Sequence, residues 1–374
     1  MRIAFVSTIF GYPWGGADVL WTGAAEAAIA RGDQVLVIIA AETAAHPRIR
    51  ALEKSGAKIH IRQPPAIGRG RLSFLRDFKR RFSGGTTLLP LLEEWKPQRI
   101  IISQGGPIDY IHEQELLPWA EKAGVPFECI CQSNSDIFSV PSEYIAMARK
   151  RAQAARRFWF VSEANRKLAE TQLAMPLSNA KGIQNPMELN TGAIPWPASP
   201  PWSFAVVARF DAVCKGLDLL FPALAETLGS EADWTLSLFG RGSDEQYLRE
   251  LAKYTGLEKR IQFAGYAKDI GTVWSKHHML LLPSRLEGCA LAMLEAMACG
   301  RPILATDVGG AAEWVRHDVD GFLCPAATLS VLSQSLAHAW SRRAQWQQMG
   351  NSAAERFRSL QNPTPGKTLL EDFS

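Results

Sequence analysis

Short apolar runs recur along the chain, separated by longer stretches in which polar and apolar residues follow a helical spacing. In the first half the runs are RIAFVS, QVLVIIA, AKIHIR, RIIIS, FECIC and RFWFVS; in the second they are FAVVAR, WTLSLF, RIQFAG, MLLLP, PILAT and GFLCP. Strands that are apolar on both faces must be covered on both sides, which is the condition of a parallel sheet built from strand–helix–strand units. The stretch VLWTGAAEAAIARG, between the first two runs, has the amphipathic spacing that a crossover helix needs. The pattern predicts an α/β protein with two doubly wound parallel sheets. It breaks in the proline-rich stretch NPMELNTGAIPWPASPPW, residues 185–202. The expected organisation is a first Rossmann-like domain over 1–190, a linker over 191–202, a second Rossmann-like domain over 203–345, and a C-terminal stretch over 346–374.

Length supports that division, since 374 residues is long for a single core. Apolar content of 47% and charge of 21% are those of a globular protein. A net charge of +4 gives no argument for nucleic acid and suits an enzyme that handles anionic donors. The six cysteines (129, 131, 214, 289, 299 and 324) form no Cys-x-x-Cys pair and sit mostly in apolar runs, as reduced cysteines of a cytosolic protein do. The opening MRIAFVSTIF reads as a first strand rather than a secretory signal. No run approaches the roughly 18 apolar residues needed to cross a bilayer. The expectation is a cytoplasmic protein, with at most peripheral contact at the inner membrane face.

Chemistry concentrates in SRLEGCALAMLEAMACG (284–300), where Glu287 and Glu295 stand seven positions apart after a buried apolar run. Glu287 and Gly288 fall on a strand-to-helix turn, which offers backbone N–H groups and the positive end of a helix dipole. Two carboxylates beside an anion-binding turn suit a ligand with both hydroxyls and phosphate, such as a nucleotide-sugar. By spacing alone, a solvated loop Glu and a helix-face Glu would explain the pair as well. Arg209 and Lys215 bracket a short loop at the end of another strand, where two cations can hold a diphosphate and neutralise the charge that builds as it leaves. Gly15 and Gly16, in FGYPWGGADVL, lie between the first strand and the first helix and let backbone approach a phosphate or sugar. There is no complete Gly-x-Gly-x-x-Gly, so a dinucleotide site is not supported.

The wider context decides between these readings. SRLEGCALAMLEAMACGRPILATDVGGAAEWVRHDVDGFLCP (284–325) resembles the signature of the retaining glycosyltransferases of family 4. VVARFDAVCKGLDLLFPAL (206–224) is similar to that family's Arg…Lys-Gly segment, and LFGRGSDEQYLREL and IQFAGY match its next two strand–turn units in order. The likeness is close in the C-terminal half and loose in the N-terminal half. It implies the GT-B architecture, two Rossmann-like domains facing a central cleft, with a C-terminal helix returning to the first domain. It implies a metal-independent, cofactor-free retaining hexosyltransferase. That enzyme would move a sugar from a UDP- or GDP-type donor to a hydroxyl of a glycan, glycolipid or small molecule. By residue, it gives Arg209, Lys215 and Glu287 the catalytic roles, with Glu287 facing the transferred sugar. Glu295 would bind the ribose hydroxyls, and the N–H groups of Gly288, Cys289 and Ala290 the sugar or phosphate. Gly15 and Gly16 join the donor contacts.

One expected feature departs from the family pattern. A histidine often follows the fifth strand of the first domain; here the place reads CQSNSDIF, offering Asn134 and Asp136 as acceptor-side groups beside Gln132 and Ser133. The Asp-Val-Asp at 318–320 precedes a Gly and a strand and reads as turn chemistry, not a metal site. Residues 69–82 gather Arg69, Arg71, Arg76, Lys79, Arg80 and Arg81 around Leu75, Phe78 and Phe82, the pattern of a basic helix that meets anionic lipid or of a solvated face. Two alternatives to a transferase are a nucleotide-sugar epimerase of the same fold and a non-catalytic nucleotide-sugar-binding protein. All four of Arg209, Lys215, Glu287 and Glu295 argue against the second, because binding alone does not need them all.

Overall fold

The computed structural model describes residues 1–371 apart from 12–13, 64–87, 138, 188–193, 230–231 and 268. The described residues divide into two compact units, Met1–Pro186 with Pro363–Ser374, and Met187–Asn362. Each is built on one parallel sheet.

The first sheet has seven strands: β1 (Arg2–Ser7), β2 (Gln34–Ala40), β3 (Lys58–Arg62), β4 (Arg99–Gln104), β5 (Phe127–Cys131), β6 (Arg157–Phe160) and β7 (Ala180–Gly182). Their order is β3-β2-β1-β4-β5-β6-β7. β1 is an inner strand, with Ala4 opposite Leu36 on one side and Ile100 on the other. All six apolar runs read from the first half are strands. Whereas β3, at the edge, leaves Ile61 exposed, the central residues of the inner strands, such as Ile3, Val37, Ile101 and Ile130, have almost no exposed surface. Each such side chain contributes about 1.5–3 kcal/mol by leaving water, which is why both-face apolar runs settle as inner strands. β7 was not legible, because Ala-Lys-Gly has no apolar run. It is a half-exposed edge strand, placed by pairing with β6 and by Asn179, whose amide donates to the carbonyls of Ala152 and Ala155.

The segment Pro363–Glu371 completes this first unit. Its helix Pro365–Glu371 packs on the helix Gly16–Ala30. Arg99, wholly buried, donates to the carbonyls of Leu369 and Leu370 and pairs with Glu128 at 2.8 Å. Glu128 in turn accepts from the Trp159 indole N–H at 2.7 Å.

The second sheet has six strands: β8 (Trp202–Val207), β9 (Trp234–Phe239), β10 (Ile261–Gly265), β11 (Met279–Leu282), β12 (Ile303–Thr306) and β13 (Gly321–Cys324). Their order is β10-β9-β8-β11-β12-β13, again parallel throughout. Chain order reverses between β8 and β11, and in such sheets ligands bind at this switch point, outside the carboxyl ends of the strands. The proline-rich stretch before β8 is anchored on this unit. Buried Arg301 donates to the Pro195 carbonyl and lies over the Trp196 ring at 5.1 Å, and Trp196 meets His278 edge-on. Among the described residues no helix is long and apolar enough to cross a membrane.

Candidate active site

In the second unit the loops after β8 and β11 meet where the strand order reverses. After β8, Arg209 is exposed, and its neighbours tie it to the loop after β9 through the N–H of Phe210, which donates to the Arg241 carbonyl at 3.0 Å. Asp211 then starts the short helix Ala212–Lys215 by accepting from the Cys214 N–H. Gly216 stops it in the left-handed region at φ 64, and a Cβ there would lie 1.9 Å from the Pro283 carbonyl oxygen. Only glycine permits that approach, and it seats Lys215 directly against the loop after β11.

Lys215 Nζ donates to Glu287 Oε1 at 2.6 Å, with both side chains largely buried. The same oxygen accepts from the hydroxyl of buried Ser284 at 2.8 Å. The Ser-x-x-Glu spacing was available in the sequence as the signal for this contact, and went unread. Beyond Glu287, the Gly288 carbonyl accepts from the Gly310 N–H at 2.7 Å. A Cβ on Gly309, at φ 59, would lie 2.4 Å from that carbonyl oxygen, so the Gly309-Gly310 turn after β12 clamps the Glu287–Gly288 peptide. Gly288 and Cys289 are buried, and burial pushes the Cys289 thiol far up from its ordinary range, which rules it out as a nucleophile. Ala290 is the N-cap of the helix Leu291–Ala298 and provides no side-chain cap, so the positive end of that helix faces the loop.

Glu295 is the fifth residue of this helix. Its carboxyl is half-buried, and the described residues give it neither a cation nor a hydrogen-bond donor. Burial alone raises its pKa from the ordinary 4.5 to about 7. A carboxylate left in that state is costly unless something donates to it. Arg209, Lys215, Glu287, Gly288, Cys289, Ala290 and Glu295 thus lie on two neighbouring loops and one helix of a single unit.

The other four expected residues belong to the first unit. Gly15 is the N-cap of the helix Gly16–Ala30, with open space where a side chain would be. Its N–H is held at 2.9 Å by buried Asp18, which also accepts from Trp21 and whose pKa burial raises. Asp18 was missed, although an acid three positions after a cap is a recognisable pattern. Asn134 is buried and its amide occupied: Nδ2 donates to Gln172 at 2.9 Å and to the Asn165 carbonyl, and Oδ1 accepts from the Ser135 N–H. Its side chain holds the loop after β5. Asp136 is exposed on that loop. Gln132 is buried with Nε2 on the Ala17 carbonyl.

The Asp-Val-Asp segment is engaged by protein cations. Asp320 is fully buried against Arg316, and Asp318 takes Arg342 and His338 at 2.7 Å each. His317 lies beside them, so two imidazoles and a carboxylate come within 4.8 Å. The Leu323 N–H donates to His317 Nδ1 at 3.0 Å, which leaves the proton of the neutral ring on Nε2, the nitrogen facing Asp318. A protonated Nε2 cannot ligate, so the donor set does not fit a metal ion. The basic segment 69–82 lies outside the described residues.

One parallel seven-stranded sheet and one of six, each doubly wound, make up the α/β architecture termed GT-B. Residues 202–342 match the model of the family described as "Glycosyl transferases group 1", and the second unit belongs to that family. Among curated proteins, an uncharacterized glycosyltransferase of Haemophilus influenzae is 32% identical over 33% of this chain and 35% of its own length. The N-acetyl-alpha-D-glucosaminyl L-malate synthase of Bacillus anthracis is 31% identical over 38% of this chain and 39% of its own. The aligned regions thus span little more than a third of these relatives. The crystal structure of Anabaena HepE in complex with UDP and glucose is similar over 100% of this chain and 99% of that one, with a TM-score of 0.74 at 20% identity, a likeness of fold.

Proposed function

We propose that the protein is a retaining glycosyltransferase that moves a hexose from a nucleotide-diphospho-sugar to a hydroxyl acceptor without a metal ion. The observation that carries this reading is Glu295: a half-buried carboxyl with no partner among the described residues, on the helix that follows the Glu287–Ala290 loop. A ribose offers two adjacent hydroxyl donors, the pair that would satisfy it. Glu295 stands five residues into the helix from its N-cap Ala290, about 8 Å along the axis, with the Gly288 turn just beyond. The diphosphate of the same nucleotide would then reach the N–H groups of Gly288 to Ala290, with Arg209 and Lys215 on the adjacent loop. Those two cations neutralise the charge that grows as the sugar–phosphate bond breaks. Glu287 accepts hydroxyl hydrogen bonds from the transferred sugar and, through Lys215, keeps sugar and diphosphate in one frame.

A uridine donor is favoured by the UDP and glucose found with HepE. In the first unit, Asp136 is exposed on the loop after β5 and stays the candidate for an acceptor contact. The test is a thermal-shift and calorimetric panel of UDP, GDP and ADP and their sugars, followed by assay for sugar transfer or slow donor hydrolysis. Binding of one nucleoside diphosphate, at a hundred times Kd, stabilises by about 2.7 kcal/mol. Absence of any response across the panel overturns the reading. Conversion of the donor to its epimer with no loss of nucleotide points instead to the epimerase.

A further inference from the structure

Asp218 and Arg285 form a two-point ion pair: Arg285 Nη1 donates to Asp218 Oδ1 at 2.7 Å and Nη2 to Oδ2 at 2.8 Å. The same Nη1 donates to the Val213 carbonyl at 2.9 Å, and the Arg285 backbone N–H donates to the Cys214 carbonyl at 2.8 Å. One residue of the loop after β11 therefore grips three points of the segment that carries Lys215: the two residues just before it and the acid three positions after it. Arg285 itself stands two positions before Glu287. The pair is partly exposed, at 21% and 26%, where ion pairs contribute little to stability. Its two parallel bonds fix an angle as well as a distance, which a single contact cannot do.

We propose that Asp218 and Arg285 are positioning residues for the diphosphate end of the donor, holding the Lys215 ammonium and the Glu287 carboxylate at one spacing so that leaving group and sugar are gripped together. The proposal rests on the nucleotide-sugar reading above. Gly216 sets how closely the two loops approach; the ion pair sets how they are turned relative to each other. Displacements of about 1 Å at such a contact cost up to a hundredfold in rate.

The experiment compares calorimetric affinities for UMP and UDP, with GMP/GDP and AMP/ADP as parallel pairs. Wild type is expected to bind one diphosphate about tenfold or more tightly than its monophosphate, an advantage that Lys215→Met removes. In Asp218→Asn and Arg285→Lys the monophosphate should bind within about twofold of wild type, while the diphosphate advantage shrinks to about threefold or less. The charge-swapped double variant Asp218→Arg/Arg285→Asp should recover most of it. Melting temperatures are recorded for each protein. Full retention of the advantage in both single variants overturns the proposal. So does a parallel fall in monophosphate and diphosphate affinity, or no recovery in a charge-swapped protein that melts like wild type, since either means the pair only supports the fold. Should wild type make no distinction within any pair, the nucleotide-sugar reading itself has failed.

Discussion

Gly216 and Pro283 meet backbone to backbone, with no room for a methyl group between them. Gly216→Ala therefore has to separate the loops after β8 and β11 or strain the left-handed residue. Overpacking of this kind costs about 1–3 kcal/mol. The urea midpoint of the second unit should fall accordingly, and UDP affinity should fall further than the stability loss explains, because Lys215 moves with the loop. An Ala variant with wild-type midpoint and wild-type affinity would show that the contact is not needed.

The raised pKa of Glu295 gives a pH signature. Below the ordinary value of 4.5 the carboxyl is protonated whether the chain is folded or not, so it has no differential effect. As pH rises from there through about 7, the unfolded form ionises first and folded wild type loses stability relative to Glu295→Gln. Ribose hydroxyls favour the ionised carboxylate, so nucleotide binding should release a proton in the same window. The ratio of wild-type to Glu295→Gln affinity for UDP should then climb between about pH 5 and 7 and level off above. A ratio that stays flat across that range removes the ribose role.

Truncating the two glutamates should have different consequences. Glu295→Ala loses hydrogen bonds to a charged group, about 1.5–3 kcal/mol, and free nucleotide should bind roughly ten- to over a hundredfold more weakly. Glu287→Ala frees Lys215 without removing it, so it should weaken nucleotide binding less than Glu295→Ala does while lowering kcat more, as loss of a contact strengthened in the transition state does. Nucleotide titration of both variants, together with steady-state kinetics, separates them. Equal loss of nucleotide affinity in the two contradicts the assigned roles.

Activity should persist in EDTA. The cations that face the leaving diphosphate in this scheme are Arg209 and Lys215, and the one candidate metal cluster among the described residues has His317 in the wrong tautomer to ligate. Loss of activity in EDTA, restored by Mg²⁺ or Mn²⁺, would refute the scheme.

Arg99→Met should destabilise the first unit by about 3–5 kcal/mol, since it strands a buried Glu128 carboxylate. Arg99→Met/Glu128→Gln should recover part of that loss. Trp159, which donates to Glu128, supplies a fluorescent reporter at the site. Removing residues 363–374 should weaken the same unit, because the Leu369 and Leu370 carbonyls are what Arg99 binds. A truncated chain that unfolds at the wild-type denaturant concentration would show the clasp to be dispensable.

Among the described residues, twelve of the thirteen strands coincide with apolar runs; in the inner ones, such as QVLVIIA or MLLLP, burial on both faces writes itself into composition, while the edge strands β3 and β10 still carry apolar residues on one face. β7 was not legible, since an edge strand held by Asn179 and by pairing needs no apolar run. Glu287, Glu295, Arg209 and Lys215 could be singled out as candidates because they sit within short segments whose spacing follows strand ends and helix turns. The Asp218–Arg285 pair could not: sixty-seven residues separate its members, and no local period records a contact made by sheet order. Asn134 was read as a group for the acceptor, whereas its amide is taken up by Gln172 and the Asn165 carbonyl, a fact that depends on how the loop after β5 meets a helix.

The glycine seats of the second unit also limit how this protein can diverge. Enzymes commonly acquire new substrates by gaining or losing residues in the loops at strand ends, where an insertion costs little loop entropy. Here Gly216 is seated on Pro283, and Gly309 on the Glu287–Gly288 peptide, so one added residue between 214 and 218 or between 283 and 289 breaks a seat and moves Lys215 or Glu287 with it. Length changes in these loops are thereby disfavoured, and under the proposed function a change of sugar preference on this side is expected from side-chain replacement at fixed backbone.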